Sequence, residues 1–244
     1  MIRVRNLTMR YPSGKGIFDL DFDVLEGQVV GFIGPNGAGK TTTIRCLLGY
    51  MKGQASSECS IAGMHCFDDA PKIAQNVGFI AGEPVFPDGI GGAEYLNYLS
   101  KIRAGNNKEK EQTIKQKTKE LCDYFEINPS GKIKQMSKGM KQKVALIAAF
   151  IHDPKIYILD EPSSGLDPIM QNKFIDLILK EKERKKTILM STHIYDEVER
   201  TADYIIIIKD GKIVAKDKAK NLKQKKRSEY VVDIDYYLSI GGGQ

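Results

Sequence analysis

The sequence predicts an α/β protein with a mainly parallel sheet, an N-terminal antiparallel β subdomain and a helical insert. Three observations lead there. Short apolar runs of strand length alternate with helical stretches, as parallel sheets require. One early segment alternates apolar and acidic residues, the pattern of a half-buried antiparallel strand. From about residue 91 to residue 151 only helical periods remain. No internal repeat is visible. The expected limits are 1–90 and 152–227 for the α/β core with its antiparallel part, 91–151 for the helical insert, and 228–244 for a C-terminal tail.

The elements follow in order. "IFDLDFDVL" (17–25) is the alternating strand, and "QVVGFIG" (28–34) is a short apolar run ending in glycine, which reads as a buried strand. A helix is expected from about Lys40 to Tyr50, then short strands at "CSIAG" (59–63) and "VGFIA" (77–81). "AEYLNYLSKIR" and "KEKEQTIKQKTKELCDYF" are helical by period, with Ile114, Leu121 and Phe125 on one face. "MSKGMKQKV" (136–144) opens a helix with Ser137 at the N-cap. Such a start presents free N–H groups and a partial positive charge, a ready site for an anion. "IYILD" (156–160) is a buried strand, and Asp167 caps a helix whose first position is Pro168. "TILMST" (187–192) and "YIIIIK" (204–209) are strands, and "DG" at 210–211 makes a tight hairpin into "KIVAK".

Composition narrows the function. The 244 residues carry 37 Lys+Arg against 31 Asp+Glu, a net charge of +6, too mild for a dedicated nucleic-acid binder. Cys46, Cys59, Cys66 and Cys122 lack paired C-x-x-C spacing and read as buried or free thiols in a reducing compartment, not as zinc ligands or disulfides. "MIRVRNLTMRY" has no apolar core, so no signal peptide is expected. No apolar run approaches the ~20 residues that span a bilayer. If the protein works at a membrane, another chain supplies the spans. "KDKAKNLKQKKR" (216–227) reads first as a solvated helix face, second as an attraction to anionic lipid and third as a nucleic-acid contact.

"GPNGAGKT" matches the phosphate-binding pattern G-x-x-x-x-G-K-[ST] in full and sits between a predicted strand and a predicted helix. Gly34, Pro35, Asn36, Gly37, Ala38 and Gly39 form the loop, whose glycines let backbone N–H groups wrap a polyphosphate; Lys40 reaches its β- and γ-phosphates, the Thr41 hydroxyl ligates Mg2+, and Thr42 follows. An ordinary glycine-rich turn would not need the lysine and hydroxyl at those spacings. The fold class is therefore that of a P-loop NTPase core. "IYILDEP" sets two acids at a strand end, where neighbouring side chains point to different faces. Asp160 would face the metal, and Glu161 would polarise an attacking water.

These motifs, taken in order, resemble the ATP-binding subunits of ABC transporters over about residues 1–215. "MSKGM" stands where that family has LSGGQ, "SSGLD" (163–167) where it has its D-loop, and "STH" puts His193 in its switch position. The resemblance implies ATP and Mg2+ as cofactors and Tyr11 as the aromatic stacked on adenine, although "RYPSG" is also a turn sequence. It implies that Ser137 and Gly139 cap the ATP of a second cassette, identical or different, in a head-to-tail dimer. It further implies a separate transmembrane permease and a cytoplasmic position on the inner face of the cell membrane. "SKGMKQ" is similar to single-cassette multidrug or peptide-antibiotic exporter subunits. Met136, Lys138 and Met140 depart from the signature, and Lys138 keeps a cation near a phosphate. Gly82 stands at the family's Q-loop glutamine. Either Glu83 substitutes for it, or Gly82 is a turn and water replaces the ligand. The rival reading is a soluble ATPase of this type acting on nucleic acid or the ribosome. Those carry two cassettes or long coiled-coil insertions, which this sequence lacks, so no nucleic-acid partner is expected. A nucleotide sensor with little hydrolysis is a third reading, opposed by Glu161 and His193.

Overall fold

A computed structural model describes residues 1–224. In chain order the elements are β1 (Ile2–Arg10), β2 (Gly16–Val24), β3 (Val29–Ile33), α1 (Lys40–Leu47), β4 (Glu58–Ile61), β5 (Met64–His65), α2 (Ala70–Asn76), β6 (Val77–Ile80), α3 (Gly92–Ala104) and α4 (Lys108–Tyr124). After a 3-10 turn at Ile133–Gln135 come α5 (Lys138–Phe150), β7 (Ile156–Asp160), α6 (Pro168–Glu183), β8 (Thr187–Thr192), α7 (Tyr195–Thr201), β9 (Tyr204–Lys209), β10 (Lys212–Lys218) and α8 (Ala219–Gln224).

The continuous apolar runs make the central sheet, in the order β10-β9-β3-β8-β7-β6. Its strands run parallel from β9 to β6, and β10 closes the edge antiparallel through the Asp210–Gly211 turn. Every residue of β7 and β8 is buried, as expected for strands covered on both faces. The alternating segment forms β2 in an antiparallel sheet of order β2-β1-β4-β5. That sheet packs on one face of the central sheet, where Phe22 stacks on Phe32 with centroids 5.7 Å apart.

The helical stretch does not own a separate core. Leu96, Ile114, Phe125, Val144 and Phe150 share one apolar cluster with Ile80, Tyr157 and Leu159 of the sheet. The Phe150 and Tyr157 rings stack at 4.4 Å. A buried polar tie also crosses this boundary: Gln142 on α5 donates from Nε2 to Pro162 O, at 2.7 Å, in the loop after β7.

Several elements differ from the sequence reading, each for a local reason. β1 lacks clean alternation because Asn6 at φ 48° and Asp19 opposite at φ 50° shift its register against β2. The first helix ends at Leu47, not Tyr50. Gly49 leaves it at φ +73°, with Cys66 O only 2.4 Å from where a Cβ would stand. At two to seven residues, β5, α2 and α7 are too short to carry a period. All four cysteines are free and buried. The end of the basic stretch and the tail 228–244 lie outside the described residues.

His152 follows α5, and its ring nitrogens are sealed from solvent. Burial, reinforced by the nearby Arg103 cation, pushes its pKa down to about 3. An unfolded chain takes up that proton near pH 6.5. The unfolded state therefore binds more protons between about pH 6.5 and 3, and this contribution to stability is lost as pH falls through that window. The loss is on the order of 4 kcal/mol. Urea unfolding of His152→Leu should lose less stability across that window than the wild type; equal acid slopes would contradict the assignment.

Candidate nucleotide site

The cradle is built by close backbone approach. A Cβ on Gly34 would stand 2.3 Å from Ile208 O, and one on Gly39 would stand 2.7 Å from Ile17 Cγ2. Gly39 sits at φ +111°, a conformation that side-chain-bearing residues rarely adopt. Gly37, at φ +82°, borders open space. Gly39 caps α1 without a side-chain acceptor, and no acid lies in the first turn. The N–H groups and positive dipole end of α1 are therefore left for an anion from outside the chain. Lys40 folds back over the loop, is 5% exposed, and donates from Nζ to Gly34 O at 2.6 Å and Pro35 O at 3.1 Å.

The ends of β7 and β8 face this cradle. Asp160 is paired in register with Ser191. Buried Asp160 accepts from Thr41 Oγ1 at 2.7 Å on Oδ2 and from Ser191 Oγ on Oδ1. Glu161 leaves the strand at φ 44°. Its N–H is held by Ser191 O at 3.0 Å and Ser191 Oγ at 3.2 Å. The backbone turn sends the two carboxylates to different partners. Glu161 Oε1 lies 3.6 Å from Lys40 Nζ, and Oε2 lies 3.4 Å from His193 Nδ1. Thr41, Asp160, Glu161, Lys40 and His193 thus converge, from three separate segments.

The other candidates are placed as follows. The Tyr11 hydroxyl is 3.3 Å from Thr42 Oγ1, which sets the ring beside the start of α1. Ser137 caps α5, accepting from Met140 N at 3.2 Å. Gly139 packs so closely on the "SSGLD" loop that a Cβ would meet Gly165 O at 2.8 Å. α5 packs on β6, α3 and α4. Gly82 borders Asp160, since a Cβ there would lie 3.5 Å from Oδ2. Glu83 is exposed and makes no hydrogen bond or ion pair among the described residues. The sequence reading gave no role to Ser191 or Gln142. Ser191 could have been found from the parallel pairing of two strands that both end at the site.

The protein-family description "ABC transporter" matches residues 17–164. The bacitracin transport ATP-binding protein BcrA of Bacillus licheniformis is 35% identical over 234 residues, 93% of this chain and 72% of the relative. The SkfA peptide export ATP-binding protein SkfE of Bacillus subtilis is 34% identical over 215 residues, 88% of this chain and 87% of the relative. The solved ATP-binding subunit of an ABC transporter superposes with a TM-score of 0.85 at 29% identity, covering 96% of this chain and 99% of that one. The uncapped cradle, the paired carboxylates and these likenesses agree: the chain belongs to the ATP-binding proteins of the ABC transporter family.

Proposed function

We propose that this chain binds ATP in the Gly34–Thr42 cradle, hydrolyses it with Glu161 as the group that polarises water, and drives a separate membrane permease. The observation that carries the reading is the position of Glu161. It stands beside the phosphate-binding Lys40, while its neighbour Asp160 is committed to Thr41. A triphosphate brings more negative charge to Lys40 than one carboxylate does. It takes over the ammonium, and Glu161 is freed to accept a hydrogen bond from water in line with the γ-phosphate. His193 Nδ1, 3.4 Å from Oε2, steadies the carboxylate in that orientation. Tyr11, whose hydroxyl is beside Thr42 at the start of α1, would offer its ring to the adenine base.

Thr41 Oγ1 and Asp160 Oδ2, two oxygens 2.7 Å apart, form a hard donor pair. Among the described residues no three acidic, His or Cys groups form a metal cage. A pair of oxygens suits Mg2+, which keeps several waters and binds through few protein groups plus phosphate. Bound there, Mg2+ would neutralise phosphate charge; Thr41 and Asp160 would hold it.

Ser137 and Gly139 sit at the start of a helix that packs on β6, α3 and α4, and Ser137 is exposed. We assign them to the nucleotide of a second cassette in a head-to-tail dimer. Among the described residues no helix is long and apolar enough to cross a membrane. The permease is then a separate partner, and this chain sits on the inner face of the membrane. Relatives named for bacitracin transport and peptide export support export as the direction.

Glu161→Gln should keep ATP binding and lose turnover; hydrolysis near the wild-type rate would remove Glu161 as the base. Lys40→Ala should weaken ATP binding through loss of a charge-assisted contact worth ~1.5–3 kcal/mol, measured by calorimetry. The trans assignment is tested by mixing Lys40→Ala and Ser137→Arg chains, both in the Glu161→Gln background. Each homodimer has two damaged sites, whereas the heterodimer has one intact site. By sedimentation, ATP-dependent dimer should appear only in the mixture. No gain on mixing, with both chains folded, would refute it.

A further inference from the structure

Glu197 belongs to none of the nucleotide motifs, yet it lies where two of them meet. It is the third residue of α7, four positions after His193, and only 1% of it is exposed. Its Oε2 accepts from Thr192 Oγ1 at 2.7 Å. That hydroxyl is already the acceptor for Ile194 N at 3.0 Å. A threonine hydroxyl has one proton to give. Here it is committed to Glu197, so Thr192 and Ile194 are pinned on either side of His193.

The same carboxyl neighbours the other loop. Burial pushes the Glu197 pKa up, and the neighbouring hydroxyls of Ser163 and Thr192 oppose it. Ser163 is 1% exposed and begins "SSGLD", two residues after Glu161. Its carbonyl accepts from Leu166 N at 3.0 Å, and Ser164 N donates to Glu161 O at 3.1 Å, so the loop is a folded unit attached to Glu161. On its far side that unit is held by Gln142 through Pro162 O. Oε1 of Glu197 is sealed from solvent without a partner. A buried carboxyl with one unsatisfied oxygen is costly, and an apolar side chain would fill the space between α7 and β8 more cheaply. The cost falls at a junction of two loops flanking the water-polarising acid, where functional sites keep locally unfavourable groups.

We propose that Glu197 is a positioning residue for ATP hydrolysis. Through its hydrogen bond from Thr192 it fixes the segment that carries His193, whose Nδ1 faces Glu161 Oε2, and it does so beside the buried Ser163 of the loop that follows Glu161. The assignment rests on Glu161 as the base. It requires no contact between Glu197 and nucleotide, so ATP affinity and turnover should separate when Glu197 is altered.

The test compares Glu197→Ala, Glu197→Gln and Thr192→Val with the wild type and with Glu161→Gln, each checked for folding by thermal unfolding. ATP affinity is read by calorimetry and kcat by phosphate release. Glu197→Ala should bind ATP within about twofold of wild type and lose at least about tenfold in kcat, or ~1.4 kcal/mol of transition-state stabilisation. Glu197→Gln keeps an oxygen that accepts from Thr192 and should recover most of the rate. Thr192→Val should reproduce the loss, and the double variant with Glu197→Ala should lose no more than the worse single change, because both break one link. Wild-type kcat in folded Glu197→Ala or Thr192→Val would overturn the proposal, as would affinity and kcat falling together. If Glu197→Ala does not fold, Thr192→Val and Glu197→Gln decide. Turnover by Glu161→Gln would overturn the base assignment and this proposal with it. An inactive Glu161→Gln beside a fully active Glu197→Ala would overturn the positioning role alone.

Discussion

The buried carboxylate of Asp160 is the joint on which the site turns. It takes the Thr41 hydroxyl from the start of α1 and the Ser191 hydroxyl from the end of β8. A carboxylate 2% exposed needs such partners, because an unpaired charge in that position would be expelled or neutralised. The parallel sheet makes the pairing possible. β3, β7 and β8 all end at the same edge, so the loops that follow them are delivered to one place. Register does the rest: Asp160 and Ser191 are direct neighbours, and Glu161 N–H is tied to Ser191 as well.

From that joint the charges divide. Asp160 accepts one hydroxyl on each oxygen, whereas Glu161 is held loosely between two cationic or protonatable groups at 3.6 and 3.4 Å. The left-handed backbone at Glu161 is the price of turning adjacent side chains to different partners. Lys40 is doubly bonded to loop carbonyls and lies within 3.6 Å of Glu161. In the proposed function a polyphosphate does two things by charge alone: it fills the uncapped end of α1 and draws Lys40 away from Glu161. The "SSGLD" loop carries this geometry outward, held by Gly139 and Gln142 of α5.

Much of this was legible in the residues because the signals are local. "GPNGAGKT" between a strand and a helix needs only its own spacing, and the cradle stands where that spacing puts it. The adjacency of Asp160 and Glu161 already implied divergent side chains. The alternation of "IFDLDFDVL" marked β2, and "DG" marked the β9–β10 turn. β1 escaped notice because its bulge at Asn6 destroys the period that a strand is recognised by.

The sequence by itself determined the fold class, the glycine-rich loop between β3 and α1, and the adjacency of the two acids, since each depends on residues close together in the chain. Only the tertiary structure decided that Ser191 hydrogen-bonds Asp160, that Thr41 reaches the same carboxylate, and that Gly82 borders it. Those are contacts between segments some 30 to 120 residues apart, brought together by the strand order of the sheet. Strand order is chosen by the burial of whole apolar faces against one another, and no short stretch of sequence carries that information.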